Sequence, residues 1–224
     1  MIVQLQLPAN DQFEFHPGQY IDVILRDGSH RSYSMACAPR LEQKTLELHI
    51  RHMAGGVFTD QLFSSVKERD ILRLEGPHGT FYLNEQSGAP MIFIASGTGF
   101  APLKAIIEGM QAKGISRPIH FYWGVRRPKD LYMNELAEQW AREIPNFKYT
   151  PVISDAEPED QWDGRIGFIH QAVAADYPNM SMHEVYACGA PVVVRLAHEL
   201  YTTQHQLPES SFYSDAFLSA KDKV

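Results

Sequence analysis

The 224-residue sequence predicts a two-part fold: an antiparallel β-barrel followed by a parallel-sheet α/β domain. Three observations predict it. Up to residue 86, short aliphatic segments alternate with polar residues and are separated by turn sequences. From residue 87, short apolar runs take turns with stretches of helical spacing. Between them, NEQSGAP is polar and punctuated by glycine and proline, as a linker is. The expected domains are therefore 1–86 and 87–224.

In the first domain VQLQL, YIDVIL, LELHI and ILRLEG are the expected strands, and HPGQ, RDGS and GPHG the turns between them. Many short strands at this spacing suggest a small barrel. A short helix is expected at VFTDQLFSSV, after Gly55 and Gly56. In the second domain MIFIAS, PIHFYWG, FKYTPVIS and EVYACG are strands. FAPLKAIIEGMQAKG, DLYMNELAEQWAREI, FIHQAVAADY and PVVVRLAHELYTTQ are helices, and SFYSDAF is a last strand. Strand and helix in alternation imply a parallel sheet covered on both faces. DAEPEDQWDG is an acidic loop, read as solvated surface.

Composition narrows the function classes. Hydrophobic residues make up 44%, ordinary for a globular protein. No run approaches the ~18 apolar residues of a membrane span, and MIVQLQLPAND lacks a signal peptide's basic and apolar regions. The expected location is the cytoplasm, with no membrane partner. A net charge of −7 without a basic stripe argues against nucleic acid. Two cysteines, Cys37 and Cys188, make no disulfide framework and cannot hold an iron–sulfur cluster, which usually takes four thiolates. The histidines show no metal spacing, so no metal site is expected.

Several motifs carry chemistry. RSYS, Arg31 to Ser34, combines an anion grip, a flat ring and hydroxyls, which suits a ligand with phosphate and an aromatic ring. SGTGFAP follows the first parallel strand and opens a helix; its glycines admit a close ligand and the helix start suits pyrophosphate. A plain strand-to-helix turn is the other reading. In GVRRPKDLY, Arg126, Arg127 and Lys129 either suit the adenosine end of a nucleotide, especially a 2′-phosphate, or are simply solvated, and Asp130 suits either ribose hydroxyls or the N-cap of the next helix. YACGAP places Cys188 at a strand tip, as a small buried hydrophobe or beside a ligand. GGVFTD, Gly55 to Asp60, either offers backbone donors to phosphate or is a glycine turn before a helix. His78, in HGTFY, reads as structural or exposed. Phe217 either covers a flat ligand or packs on the sheet edge.

Taken in order, RSYS, GGVFT, GPHG, GTGFAP, the GVR turn, CGAP and a terminal acidic-x-aromatic resemble the ferredoxin–NADP reductase superfamily over nearly the whole chain. Closest in style are its flavin reductases and the reductase halves serving oxygenases and CDP-sugar deoxygenation. The resemblance implies an antiparallel Greek-key flavin barrel at 1–86 and an NAD(P)-binding α/β domain at 87–224. It implies FAD rather than FMN, with NAD(P)H as hydride donor. Arg31 would pair with flavin phosphate, Ser32 and Tyr33 would line the flavin, and Ser34 would bond near N5. His49, Ile50 and Arg51 would lie beside the ring, and Gly56, Val57, Phe58 and Thr59 would hold the FAD pyrophosphate. Gly97, Thr98, Gly99, Phe100, Ala101 and Pro102 would take the nicotinamide cofactor's phosphates, with Arg126. Cys188, Gly189, Ala190 and Pro191 would lie at the nicotinamide, and Phe217 at the flavin with Asp215 as a polar neighbour. Ser34, Cys188, Asp215 and Phe217 are the expected catalytic set.

The implied activity is flavin-dependent NAD(P)H oxidation, with electrons passing to a ferredoxin-type domain or protein. A free-flavin reductase and a non-catalytic nucleotide-binding subunit are the alternatives. The family's barrels begin about ten residues earlier in their first strand, which leaves open both how this barrel closes and whether the chain is cut from a longer one. The fused iron–sulfur domain of related oxygenase reductases has no counterpart here. RSYS and GTGFAP would act as two halves of one clamp across a shared cleft.

Overall fold

The computed structural model describes residues 1–8, 13–39 and 44–218. They form two compact units, Met1–Leu83 with Ala101–Lys113, and Asn84–Phe100 with Gly114–Val224.

The first unit is antiparallel. β1 (Ile2–Gln6) pairs with β4 (Thr45–His49), Ile2 facing His49. β2 (Tyr20–Ile24) is the centre of a second sheet, flanked by β3 (His30–Ser34) and β5 (Arg73–His78). A bridge between Met35 and Leu48 links the two sheets. Alternation decides which residues enter the core: Ile21 and Val23 of β2 and Leu46 and Leu48 of β4 are buried, every second residue. α1 (Val57–Ser64) adds Phe58 and Leu62, one turn apart, to the same core. Gly18 turns the chain at φ +107°, and a Cβ there would lie 2.2 Å from the Phe81 carbonyl oxygen.

α2 (Phe100–Lys113) is buried along almost its whole first ten residues, as a helix covered on several sides must be. From Ala101 onward it belongs to the first unit. Its one buried cation, Lys104, donates to the Ala36 carbonyl at 2.7 Å and pairs with Glu108 at 2.7 Å and Glu47 at 3.0 Å. Burial works against the Glu47 carboxylate, but hydrogen bonds from His49 and Lys104 outweigh it and hold its pKa at about 2.

The second unit is a six-stranded, all-parallel sheet. Its strands are β6 (Met91–Ser96), β7 (Ile119–Val125), β8 (Phe147–Ile153), β9 (Arg165–Ile166), β10 (Glu184–Gly189) and β11 (Phe212–Ala216). The spatial order is β11-β10-β6-β7-β8-β9. From β6 the chain adds strands outward in one direction, then returns to place β10 and β11 on the other side. The order therefore reverses between β6 and β10, the kind of switch point where ligands of open α/β sheets bind. α4 (Ile169–Asp176) and α5 (Pro191–Gln204) pack on Ile92, Ile94, Tyr122, Val185 and Ala187. The opposite face packs Phe121 against Trp140 of α3 (Asn134–Glu143), and Trp140 stacks on Phe100 at 5.7 Å. Coverage on both faces explains why MIFIA of β6 is buried without alternation. No helix among the described residues is long and apolar enough to cross a membrane.

Candidate functional site

In the first unit the singled-out residues gather on three neighbouring elements. β3 lies antiparallel to β2, with Tyr33 opposite Ile21, Arg31 opposite Val23 and Ser32 opposite Asp22. RSYS is thus split by the pleat: Arg31 and Tyr33 share the face of buried Ile21 and Val23, and Ser32 and Ser34 take the other. The Ser32 hydroxyl donates to Asp22 at 2.6 Å. Arg31 donates to the His30 carbonyl and is half-buried. Tyr33 packs on Phe58 of α1, ring centroids 5.6 Å apart, and burial pushes its hydroxyl pKa up to about 12. It stays a neutral flat surface at ordinary pH.

His49 ends β4 with its ring nitrogen Nε2 2.9 Å from Glu47 Oε1. Ile50 pairs its N–H and carbonyl with Met1, and Arg51 is exposed. Gly56 is the N-cap of α1 and supplies no side-chain cap, so the helix start keeps first-turn N–H groups for another acceptor. A Cβ on Gly56 would lie 2.5 Å from Thr59 Oγ1. Thr59 is buried and donates to the Met53 carbonyl at 2.9 Å, which fixes the turn. Asp60 closes it by accepting from the Gly55 N–H at 3.0 Å. Val57 is exposed beside this turn, whereas Phe58 points into the core. His78 packs half-buried on Tyr20, the structural reading of that residue.

In the second unit the tips of β6 and β10 meet at the reversal of strand order. Cys188 faces Ala95 on one side and Asp215 of β11 on the other. Gly97, Thr98 and Gly99 form a single 3-10 turn that runs directly into α2, and Ala101 and Pro102 fall in the helix's first turn. A Cβ on Gly99 would lie 2.2 Å from the Cys188 carbonyl oxygen, and one on Gly189 would lie 2.3 Å from the Ser96 carbonyl oxygen. Glycine is required at both, because here backbone lies directly on backbone. Cys188 is 1% exposed, and burial pushes its thiol far above the ordinary value. Ala190 and Pro191 start α5, with Ala190 as N-cap. The Phe217 N–H donates to the Gly189 carbonyl at 2.8 Å, just past the end of β11, so Phe217 lies beside the same tip.

Two residues escaped sequence reading. The indole N–H of Trp123 donates to the Gly97 carbonyl at 2.9 Å and so fixes the glycine turn from the neighbouring strand. A tryptophan in an apolar strand carries one obligatory donor, and that was the signal available. The second is Asp160. Its carboxylate takes both Nε and Nη2 of Arg127, at 2.7 and 2.9 Å, and Glu157 joins them as an ion pair. The acidic loop is therefore not merely solvated surface. It is anchored to the β7 tip, and Trp162 lies over Gly164 within it. Asp130 also departs from expectation. It caps its own 3-10 turn by accepting from the Arg127 N–H at 3.1 Å, while α3 starts four residues later at Asn134.

Two family models match the chain consecutively. Residues 1–82 match an oxidoreductase FAD-binding domain, and residues 93–199 an oxidoreductase NAD-binding domain. The chain carries the FAD-binding and NAD-binding oxidoreductase domains of ferredoxin reductase-type proteins. Among curated relatives, the CDP-6-deoxy-L-threo-D-glycero-4-hexulose-3-dehydrase reductase of Yersinia pestis is 40% identical over 98% of this chain and 65% of its own length. The ferredoxin–NAD(P)(+) reductase component of the Pseudomonas putida naphthalene 1,2-dioxygenase system is 33% identical over 96% of this chain and 64% of its own. Among solved structures, the cytochrome P450 reductase GcoB of Amycolatopsis superposes with a TM-score of 0.87 at 33% identity, covering 98% of this chain and 65% of that one. The chain thus spans about 65% of the length of the curated relatives it matches first.

The residues of this chain fit the two groups its domains are named for. An uncapped helix start at Gly56, an arginine on β3 and a neutral aromatic at Tyr33 make a donor set for pyrophosphate and a planar ring. Gly99 and Gly189 hold the two strand tips backbone to backbone, and at Gly97 a Cβ would meet open space, so a dinucleotide phosphate can approach this turn at the sheet's switch point. Among the described residues, no three His, Cys, Asp or Glu side chains are grouped to hold a metal ion.

Proposed function

We propose that the chain is the flavin- and nicotinamide-binding part of an NAD(P)H-dependent reductase that passes electrons through FAD to a ferredoxin-type acceptor. The single observation behind this reading is the consecutive pair of FAD- and NAD-binding oxidoreductase domains on a chain 40% identical to a dehydrase reductase. Residues 1–86 are the flavin domain and 87–224 the nicotinamide domain in this proposal. FAD held by Arg31, Tyr33 and the α1 start would supply hydride acceptance from the nicotinamide and one-electron release to the acceptor.

Every other part of the work belongs to side chains and backbone. Arg31 neutralises flavin phosphate, and the α1 start from Gly56 to Thr59 receives the pyrophosphate. Ser32 and Tyr33 with His49, Ile50 and Arg51 border the ring, and Ser34 donates to the position that gains charge on reduction. Gly97 to Pro102 and Arg126 bind the nicotinamide cofactor's phosphates. Cys188, with Gly189, Ala190 and Pro191, orients the nicotinamide as a neutral, protonated thiol, in keeping with the burial that keeps it from ionising. Phe217 shields the ring from water and Asp215 sits beside it. The cytoplasm is the proposed location, in keeping with two unpaired thiols.

The test is an absorption spectrum of the purified protein before and after NADH or NADPH is added. The expected result is a bound-FAD spectrum that bleaches within seconds under anaerobic conditions and recovers on adding an oxidised ferredoxin. Colourless protein that oxidises NAD(P)H only with added flavin would replace this reading with a free-flavin reductase. Bound flavin that neither nucleotide reduces would make the chain a non-catalytic subunit.

A further inference from the structure

The β7 tip carries three cations in a row of four residues, Arg126, Arg127 and Lys129, the composition expected of a site for a 2′-phosphate. The structure removes the middle one from that role. Arg127 turns away into the 155–160 loop, where Asp160 holds its guanidinium through two parallel hydrogen bonds at 2.7 and 2.9 Å. Glu157 takes the remaining nitrogen, Nη1. A bidentate arginine–carboxylate pair uses the same fork that would otherwise grip a phosphate. The loop is held in place from a second side. The Asp155 N–H donates to the Arg126 carbonyl, and the Glu157 N–H donates to Asp160.

The acceptors outnumber what remains. Asp130 sits in the same turn, with one oxygen on the Arg127 N–H. With Glu157 and Asp160 it makes three carboxylates around a tip whose remaining cations are Arg126 and Lys129, both exposed. A ribose 2′-hydroxyl can donate to a carboxylate; a 2′-phosphate can only be repelled by one.

Building on the proposed function, we propose that this chain selects NADH over NADPH, and that Glu157 and Asp160 set the preference by sequestering Arg127. Neither acid need touch the cofactor; they act as specificity-determining residues through the arginine they hold.

The experiment titrates the flavin-loaded protein by calorimetry with two fragments, ADP-ribose and its 2′-phosphorylated form. ADP-ribose is expected to bind at least tenfold more tightly. In Glu157→Gln/Asp160→Asn, which keeps the size of both side chains, the gap is expected to narrow at least threefold through tighter binding of the 2′-phosphorylated fragment. Asp160→Asn alone should move in the same direction by less, and serves if the double variant does not fold. Adding Arg127→Ala to either variant should restore the wild-type gap, because the released cation is what gains the phosphate. Equal binding of the two fragments, or a preference for the 2′-phosphate, overturns the selection while leaving the proposed function standing. A gap unchanged in well-folded variants overturns the role of the acids. Failure of both fragments to bind overturns the proposed function and this inference with it.

Discussion

Cys188 shows how a single position can be legible in place and illegible in state. The sequence CGAP put a cysteine at a strand tip, and the structure has it there, between Ala95 and Asp215. Its ionisation could not be read, because that depends on burial: desolvation first, and the charge of Asp215 second, push the thiol far above its ordinary value. At pH 8 it therefore remains a thiol. Iodoacetamide is expected to alkylate Cys188 of the native protein at least tenfold more slowly than in the urea-unfolded chain, since the thiolate is the nucleophile. Cys37, only half-buried, should react before it. Peptide mass analysis of a timed labelling course checks both. Rapid native labelling of Cys188 would mean an accessible, ionised sulfur and a different role at the nicotinamide end.

At the level of elements, the segment Asn84–Ala89 is tied into its own unit by a buried ion pair. Arg117, 7% exposed, pairs with Glu184 at 2.6 Å, itself 5% exposed at the start of β10. The same guanidinium donates to the carbonyls of Ala89 and Asn84, and Asn84 reaches Glu184 and the hydroxyl of Tyr213. Arg117 and Asn84 together thus tie the linker segment to β10 and β11. Removing one member leaves the other charged and buried, which typically costs about 3–5 kcal/mol. Arg117→Met is expected to lower unfolding stability by that order in urea denaturation, and Arg117→Met/Glu184→Leu to regain part of it. NEQSGAP reads as a linker, and its anchoring is not legible, because polarity and glycine show that a segment is irregular, not that distant partners hold it. The strands and helices themselves were legible because periodicity is local. The two-residue strand β9 was not, since nothing in Arg165–Ile166 differs from a loop until β8 pairs with it. For the same reason the acidic loop's grip on Arg127 was missed: like-charged residues read as solvated until the fold brings an opposite charge from another strand.

Across the whole molecule the order of domains was legible because each domain repeats its own period, and the long-range polar networks were not. One of these sets an acid limit. His120 on β7 is bonded to the Tyr177 hydroxyl and Thr150 Oγ1, both at 2.9 Å. Burial disfavours its charged form and lowers its pKa from 6.5 to about 4, against the smaller opposite pull of Asp176. Burial also works against the Asp176 carboxylate, but the Tyr122 hydroxyl and Arg165 outweigh it and keep that group ionised. The native state therefore keeps His120 neutral at pH values where an unfolded chain would protonate it. Its contribution to stability is complete above pH 6.5 and is lost as pH falls from there toward 4, with uptake of up to one proton on unfolding. Glu47, held at about 2, loses its contribution in a lower window, below the ordinary carboxylate value of 4.5. Two separate windows follow, one from the histidine and a lower one from the carboxylate. Urea unfolding followed from pH 7.5 to 4.5 should show the wild type losing stability more steeply than His120→Gln, whose amide keeps a donor and an acceptor but does not titrate. His170 and His183 are also held neutral by burial, so they contribute to both profiles and cancel in the difference. Parallel profiles for the two proteins would show that His120 takes up its proton in the folded state as easily as in the unfolded one.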